Sequence, residues 1–227
     1  MTMKYTGNYV APTLTVDAVL FQLINNELNV ILIERPNDPF KGLWALPGGY
    51  NPVGETTHDA LQRIVQEKAG INIDKDLSYI EQLYTFDTVA RDPRGHAVSV
   101  TYMGCGRNIE WTKSEAHTAS FAVSSLPKTA YDHTDIIRYA HERLIAKLSY
   151  TNAIYAFLPQ KFTLTELQSA YEAILVRPLD KRNFRKKFLG LNLIRETDEM
   201  KREGAHRPAR LYMFNSSTLE TLDRSFE

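Results

Sequence analysis

The sequence has little cysteine, and Cys105 is the one cysteine among its 227 residues. A single cysteine excludes an internal disulfide and is typical of proteins in a reducing compartment, so we expect a cytoplasmic location. No apolar run approaches the roughly 20 residues of a membrane-spanning helix, and residues 1–5 do not resemble a signal peptide. Repeats and low-complexity tracts are also lacking. A content of 43% hydrophobic and 24% charged residues then indicates a soluble globular protein without a membrane partner.

An excess of charge of one sign is lacking as well, because 27 Lys and Arg residues balance 27 Asp and Glu residues. This balance does not hold along the whole chain: residues 178–210 contain ten Lys and Arg against five Asp and Glu. A zero net charge excludes no class of partner. The basic segment, in contrast, indicates contact with an anionic surface.

Residues 49–71, GYNPVGETTHDALQRIVQEKAGI, carry the pattern with the most functional information. The Nudix box has the form Gly, five residues, Glu, seven residues, Arg-Glu, apolar, any, Glu-Glu, any, Gly, apolar. The segment resembles this box, and the residues in register with it are Gly49, Glu55, Arg63, Val65, Glu67, Gly70 and Ile71. Two positions depart from the pattern, because Ile64 and Lys68 stand where the box has glutamates.

We expect this segment to form a turn followed by a helix. Residues 46–49 read Leu-Pro-Gly-Gly, which favours a turn where backbone can approach a ligand closely. The helix is predicted over residues 58–69, with Thr57 or Asp59 as its N-cap and Gly70 as its C-terminal stop. Positions 64, 67 and 68 then share one helix face.

Three carboxylates on that face would hold Mg²⁺ or Mn²⁺, which can clamp a diphosphate and activate water. Ile64 cannot bind a cation, and Lys68 brings a positive charge to the place of the metal. We expect Lys68 to neutralise the remaining Glu55 and Glu67. The sequence therefore predicts no metal site, no catalytic residue and no required cofactor.

The first part of the chain has the pattern of an α/β fold. Strands are predicted at residues 15–23, 28–34, 81–89, 96–105 and 118–123, and a helix at residues 135–148. Asn25-Asn26-Glu27 indicates a hairpin between the first two strands. Residues 91–95, Arg-Asp-Pro-Arg-Gly, indicate a turn between the third and fourth strands.

The pattern changes after residue 149. Helices are predicted at residues 152–158, 165–175 and 180–189, and strands at residues 191–195 and 209–214, with a polar arm at 196–208 between them. Three helices followed by a hairpin are the order of a winged helix-turn-helix. In that fold the third helix enters the major groove of DNA and the arm is the wing.

Basic and polar residues of this second part are the candidates for contacting DNA. Arg and Asn can read base edges, and Lys can meet phosphates. The candidates are Thr163, Lys181, Arg182, Asn183, Arg185, Lys186, Lys187, Lys201, Arg202, His206 and Arg207.

Candidates for binding a small ligand lie in the first part. Glycines of the turn allow close approach, arginines can hold phosphate, and aromatic rings can stack on a base. The candidates are Arg35, Trp44, Gly48, Gly49, Arg63, Glu67, Lys68, Phe86 and Arg91. The histidines show no metal-ligand spacing, and we interpret His133 as an ordinary polar residue.

The altered box, the 91–95 loop, the 126–137 segment and the basic helix of residues 180–187 together resemble the Nudix-related transcriptional regulators of NAD metabolism, the NrtR family. The resemblance implies an α/β (α+β) protein, with a Nudix-like α/β/α sandwich in residues 1–148 and a winged helix-turn-helix in residues 149–227. It also implies a homodimeric repressor that binds double-stranded operator DNA. The implied effector is ADP-ribose or a related nucleotide.

Two other functions fit the same sequence. Another acidic residue such as Glu81 or Glu115 could restore a metal site, which would make the protein a working ADP-ribose pyrophosphatase. Alternatively, the basic tail could bind RNA or dock another protein. Metal-dependent release of AMP would indicate the first of these functions, and a single-strand preference would indicate RNA binding.

Overall fold

The computed structural model describes residues 10–202 and 208–222 of the chain. Its larger sheet is built from β1 (Thr13–Ile24), β2 (Glu27–Glu34), β3 (Trp44–Ala45), β4 (Gly48–Tyr50), β5 (Tyr79–Phe86), β6 (Ala97–Cys105) and β7 (Thr118–Ala122). The strand order is β3-β2-β1-β6-β5, with β4 paired to β1 and β7 paired to β2. Strands β1 and β6 are parallel, whereas β1 and β2 form the predicted antiparallel hairpin. Asn25 and Asn26 allow this tight turn because asparagine tolerates their positive φ angles of 51° and 60°.

Helices cover both faces of this sheet. Helix α1 (Thr57–Ala69) packs against one face, followed by the short α2 (Ile73–Asp76), and α3 (His133–Tyr150) packs against the other. Side chains of β1 alternate between the two faces, so Ala18 and Leu20 belong to the cluster under α1, and Val19 and Phe21 to the cluster under α3. The predicted α/β/α sandwich is confirmed.

The ends of α1 differ slightly from the prediction. Thr56, and not Thr57 or Asp59, is the N-cap: its hydroxyl accepts from Asp59 N–H, and the Asp59 carboxylate accepts from Thr56 N–H. Asp59 thus completes a capping box from the third helical position. Gly70 ends the helix at φ 70°, as predicted, and a Cβ on Gly70 would lie only 2.3 Å from the carbonyl oxygen of Thr112.

The second part consists of a 3₁₀ helix (Ala153–Phe157), α4 (Leu164–Leu175), α5 (Lys181–Gly190) and the hairpin of β8 (Ile194–Lys201) and β9 (Ala209–Phe214). This order confirms the winged helix. The polar arm was predicted from residue 196, but β8 continues to Lys201 because β9 offers it pairing partners as far as Ala209. His206 and Arg207, which we expected in the wing, lie outside the described residues.

The two parts are packed against each other. Helix α3 runs to Tyr150, beyond the end predicted for this helix at residue 148. Nε2 of His141 on α3 lies 2.6 Å from the carbonyl oxygen of Ile174 on α4, and the Tyr155 hydroxyl donates to the carbonyl of Ser78 at 2.9 Å. One buried cluster contains residues of β1, α3, α4 and α5. Among the helices that the model describes, none is long and apolar enough to cross a membrane.

Candidate ligand cavity and nucleic-acid interface

A cavity of about 350 Å³ opens beside the turn that leads into the Nudix box. Its walls come from the start of β1, the loop after β2, the β4 turn, the last part of α1, the 91–94 loop and the start of α3. Five of the nine predicted ligand-binding residues line it: Arg35, Gly48, Gly49, Lys68 and Arg91. Residues far apart in sequence therefore meet at one site.

The other four candidates do not line this cavity. Trp44 packs edge-on against Phe121, and Phe86 packs against Tyr84 and Tyr139. Arg63 and Glu67 pair with each other along α1. Their assignment as ligand-binding residues stays a prediction.

Arg63 holds the two remaining glutamates of the box. Its Nε and Nη2 donate to the two carboxylate oxygens of Glu55, each at 2.8 Å, and its Nη1 lies 3.4 Å from Glu67. The hydrogen bond from Arg63 lowers the pKa of Glu55. We expected Lys68 to neutralise these glutamates, but Lys68 forms no ion pair with either of them in the described part of the chain. The forked guanidinium of Arg63 holds both, and Glu67 attracts Lys68 only at longer range.

Lys68 points instead towards the turn. Its Nζ donates to the carbonyl oxygen of Gly48 at 2.6 Å. Burial lowers the pKa of Lys68, and the nearby guanidinium of Arg35 lowers it further. Arg35 itself donates to the backbone carbonyls of Pro39 and Asn37. Neither cation forms an ion pair with a carboxylate in the described part of the chain, so both are available to attract an anion.

The side chains of the Nudix box offer few oxygen ligands that are free of an ion pair. Ile64 is buried, and Glu55 and Glu67 are occupied by Arg63. Within residues 10–202 and 208–222, no group of three or more His, Cys, Asp or Glu side chains could hold a metal. Of the two acidic residues considered as replacements, Glu81 pairs with Lys147 of α3 at 2.9 Å, whereas Glu115 does line the cavity.

Arg91 lines the cavity, but its guanidinium already forms ion pairs with carboxylates of the protein. Its side chain is only 5% exposed, and its Nε and Nη2 donate to the two carboxylate oxygens of Asp132 at 2.9 and 2.8 Å. It also lies 3.6 Å from Asp17, which accepts a hydrogen bond from Ser99 at 2.5 Å. Arg91 therefore joins the 91–94 loop to the start of α3, and its guanidinium has little freedom to turn towards a ligand.

Three further polar residues of the cavity were missed from the sequence as ligand-binding candidates: Asp17, Tyr131 and His133. Arg94, from the 91–95 loop, also lines the cavity. His133 is buried, and its Nδ1 accepts from the Leu46 N–H at 2.9 Å, which requires an Nδ1 without a proton. Burial lowers the pKa of this imidazole. The Tyr131 hydroxyl is buried and has no hydrogen-bond partner among the described residues. An acidic residue inside the apolar strand of residues 15–23 was the signal that could have revealed Asp17.

Helix α5 presents a basic surface. Phe184 and Phe188 are buried against Tyr171 of α4. Because these rings hold one side of α5 in the core, the opposite side faces solvent. Asp180 caps the helix by accepting from Asn183 N–H at 2.8 Å. The exposed candidates are Lys181, Arg182, Asn183, Lys186, Lys187 and, beyond β8, Arg202. Asn183 and Lys187 also border a second cavity, of about 450 Å³, between α3, α4 and α5.

Three predicted DNA-binding residues have structural contacts. Thr163 is buried and caps α4, accepting from Glu166 N–H at 3.1 Å. Arg185 is half-buried and donates to the Thr165 hydroxyl, and Lys201 pairs with Glu166 at 2.7 Å. The sequence did not distinguish these residues from their exposed neighbours, because a helix or strand position alone does not reveal its partner in another element.

Fold and site together define a Nudix sandwich with a cation-lined cavity, joined to a winged helix with a basic helix α5. Residues 13–140 match the NUDIX domain model, and residues 154–214 match the model of the NrtR DNA-binding winged helix domain. The chain belongs to the NrtR family of Nudix proteins.

Two relatives are similar to this chain over nearly its whole length, and a third is similar to its Nudix part. The ADPR responsive transcriptional repressor NtrR of Acinetobacter baylyi is 35% identical over 92% of this chain and 84% of its own length. The crystal structure of Shewanella oneidensis NrtR complexed with a 27mer DNA superposes with a TM-score of 0.79 and 33% identity, over 94% of this chain and 99% of that one. The NUDIX domain of the same Shewanella protein, complexed with ADP ribose, has a TM-score of 0.50 and 33% identity, over 60% of this chain and 90% of that one.

Proposed function

We propose that this protein is an ADP-ribose-responsive transcriptional repressor of NAD metabolism genes. The winged helix binds double-stranded operator DNA, and the Nudix domain binds ADP-ribose or a related nucleotide derived from NAD. The observation that carries the proposal is the presence, in one chain, of an exposed basic α5 and a cavity with two cations that lack carboxylate partners. The names of the Acinetobacter and Shewanella proteins support both halves.

DNA binding is supported by the way α5 is held. Its two phenylalanines anchor it to α4, and the exposed Arg182 and Lys186 lie on the side away from that anchor. A rigid helix with cations on its free side can enter a major groove and place guanidinium groups against base edges and phosphates. The cations also make affinity fall steeply with salt, because each phosphate contact releases counterions.

Ligand binding is supported by the charges of the cavity. ADP-ribose carries a diphosphate, and Arg35 and Lys68 face the same space. Within the described residues, the hydrogen bonds of both side chains go to backbone carbonyls. The Tyr131 ring lies under the Arg35 guanidinium, 4.9 Å from ring centroid to Cζ, which holds that cation at the cavity wall.

Hydrolysis of the ligand is not part of the proposed function. The metal that would activate water needs several oxygen ligands on one side of α1, and that side carries Ile64 and Lys68. A receptor that does not destroy its effector can report the effector's concentration. Incubation of the protein at high concentration with ADP-ribose and Mg²⁺ or Mn²⁺ should release no AMP; release that Glu67→Gln abolishes would instead show a working pyrophosphatase.

The response requires that ADP-ribose prefer an arrangement of the homodimer that does not fit the operator. A difference of about 3 kcal/mol between the two arrangements changes operator affinity on the order of 100-fold. Two winged helices of one dimer would contact half-sites that lie roughly 10 bp apart or at a multiple of that distance.

The deciding experiment is a gel shift on the DNA upstream of the protein's own gene, with and without ADP-ribose. Wild type should bind the duplex and release it when ADP-ribose is added. Arg182→Ala should weaken binding by about 1–3 kcal/mol, because Arg182 is an exposed cation of α5. Arg107→Ala is the matched control, since Arg107 is an exposed arginine of the Nudix domain.

Equal operator affinity of the Arg182→Ala and Arg107→Ala variants would show that α5 does not contact DNA. A preference for single-stranded RNA over the duplex would contradict the operator-binding function altogether. If the protein binds the duplex and ADP-ribose has no effect, DNA binding is supported. The proposed effector is then refuted.

A further inference from the structure

We propose that the Lys68 ammonium is a built-in replacement for the divalent cation of the Nudix box and binds the diphosphate of the effector directly. Ligand binding is then independent of metal. This inference rests on the proposed function, and it adds which group recognises the diphosphate and why no metal takes part.

The position of the ammonium is the first argument. Lys68 occupies a position where the box has a metal-binding glutamate, and its Nζ lies against the Gly48–Gly49 turn. A Cβ placed on Gly49 would be 3.2 Å from Nζ, so the absence of a side chain there leaves the ammonium room at the turn. The cation therefore lies at the cavity wall, beside the half-buried Gly48–Gly49 backbone that also lines the cavity.

The hydrogen bonds of the ammonium are the second argument. A lysine ammonium has three N–H donors. Gly48 provides the one hydrogen-bond acceptor for Nζ among the residues that the structure covers, which leaves two donors for a ligand. Two donors on one positive charge match the oxygens of a phosphate.

The distribution of charge is the third argument. Arg63 engages Glu55 and Glu67, so neither carboxylate of the box forms an ion pair with Lys68. Asp17, Glu115 and Glu67 act on the ammonium only through longer-range attraction. Arg35 adds a second positive charge close enough to lower the pKa of Lys68. Two cations that share a partly buried cavity repel each other, and an anion between them relieves that repulsion and replaces the lost water.

The packing under the turn shows why a metal does not take this role. Side-chain carbons of Ile64 would lie 3.3 Å from a Cβ on Gly49, so hydrocarbon fills the space on the helix side of the turn. A hard cation such as Mg²⁺ requires oxygen ligands in near-octahedral geometry. At this turn an ammonium and an aliphatic side chain take the place of two of the carboxylates.

A charge series at position 68 tests the inference. Binding of ADP-ribose is measured by isothermal titration calorimetry, in EDTA and in Mg²⁺, for wild type, Lys68→Met and Lys68→Glu. Wild type should bind with the same affinity in both buffers. Lys68→Met should bind about 10- to 100-fold more weakly because a charge-assisted hydrogen bond is lost, and Lys68→Glu should bind more weakly still in EDTA.

Matched controls are Lys75→Met and Lys75→Glu, because the Lys75 side chain is 82% exposed on α2 and does not line the cavity. They make the same charge changes and should keep wild-type affinity. The melting temperature of each unliganded variant reports folding, and if Lys68→Glu does not fold, Lys68→Met alone decides. Folded Lys68→Met should still bind operator DNA but resist release by ADP-ribose.

Each outcome has a separate meaning. Loss of wild-type affinity in EDTA would overturn the inference, because a metal would then be needed. Unchanged affinity of Lys68→Met in EDTA would also overturn it while leaving the proposed effector intact. Absence of ADP-ribose binding by wild type in both buffers would refute the effector itself, and the inference with it.

Discussion

At the scale of single residues, ion pairing decides which charged side chains are free to act. Arg63 of the Nudix box and Arg91 of the cavity wall are both held by carboxylates of the protein. Among the described residues, the Lys68 ammonium hydrogen-bonds to a backbone carbonyl and to no carboxylate, although the surrounding box contains two glutamates. The charges that can meet a ligand are thus fewer than the charges in the sequence.

Glu81 shows the same principle on the other face of the sheet. Its carboxylate lies 2.9 Å from the Lys147 ammonium and 3.3 Å from Nε of Arg143, and the side chains of Glu81 and Lys147 are 17% and 6% exposed. Burial acts to raise the pKa of Glu81, but hydrogen bonds from Lys147, Tyr79 and Arg143 together lower it below the usual 4.5. The ionised pair stabilises the folded state.

We predict that Glu81→Gln lowers the free energy of unfolding at pH 7 by about 1–3 kcal/mol, because Lys147 loses its charged partner. A lowered folded pKa gives stability that is present above the unfolded pKa and is lost as pH falls through the folded pKa. The difference between variant and wild type should therefore shrink below about pH 4.5. Urea unfolding at a series of pH values measures this difference.

The control for that series is Glu110→Gln, because Glu110 is an exposed glutamate. Its free energy of unfolding should stay within about 0.5 kcal/mol of wild type. A difference between Glu81→Gln and wild type that stays constant from pH 7 to acid would contradict the ion-pair interpretation.

At the scale of secondary structure, caps and buried aromatic residues place the DNA-facing elements. The sequence predicted α4 and α5 together with the capping pattern at residues 163–166. The structure confirms that Thr163 and Glu166 form a capping box, and Glu166 also binds Lys201 of β8. One turn of helix therefore joins α4 to the wing hairpin.

We predict that Thr163→Ala lowers the free energy of unfolding by about 1 kcal/mol, because the Glu166 N–H loses its acceptor. Thr163→Ser should retain most of the stability, since serine keeps the hydroxyl. Urea titrations followed by circular dichroism compare the two variants. A loss of operator affinity in folded Thr163→Ala, with affinity kept in Thr163→Ser, would instead show that the hydroxyl takes part in the DNA interface.

At the scale of the whole molecule, the Nudix sandwich and the winged helix share a buried core. Val19 and Phe21 of β1, Leu144 of α3 and Phe188 of α5 belong to one continuous cluster of buried residues. Neither part can unfold without exposing apolar surface of the other, so we expect the two to be thermodynamically coupled.

We predict a single cooperative thermal transition for the full chain. Scanning calorimetry should give one peak whose calorimetric and van't Hoff enthalpies agree, which is the test for two-state unfolding. Two resolved transitions would contradict the shared core and indicate two independent domains. Saturating ADP-ribose should move the whole transition upwards, because a ligand that binds the folded state stabilises it.

The sequence by itself determined the elements and their order. Asn25-Asn26 set the β1–β2 hairpin, the spacing from Gly49 to Ile71 set the Nudix turn and helix, and the capped α4, the basic α5 and the apolar strand of β9 set the winged helix. These are local features, because turn residues, caps and hydrophobic periodicity act over a few positions of the chain. The absence of two box glutamates was equally visible from the sequence.

Only the tertiary structure decided what each charged or polar side chain does. Arg91 meets Asp132, 41 positions away, and the Leu46 N–H meets His133, 87 positions away. Lys68 turns to Gly48 and not to the glutamate beside it in sequence. The partner of a buried polar group depends on which elements pack together. Because an unpaired buried charge is costly anywhere in the fold, such partners often come from another element and not from the same helix.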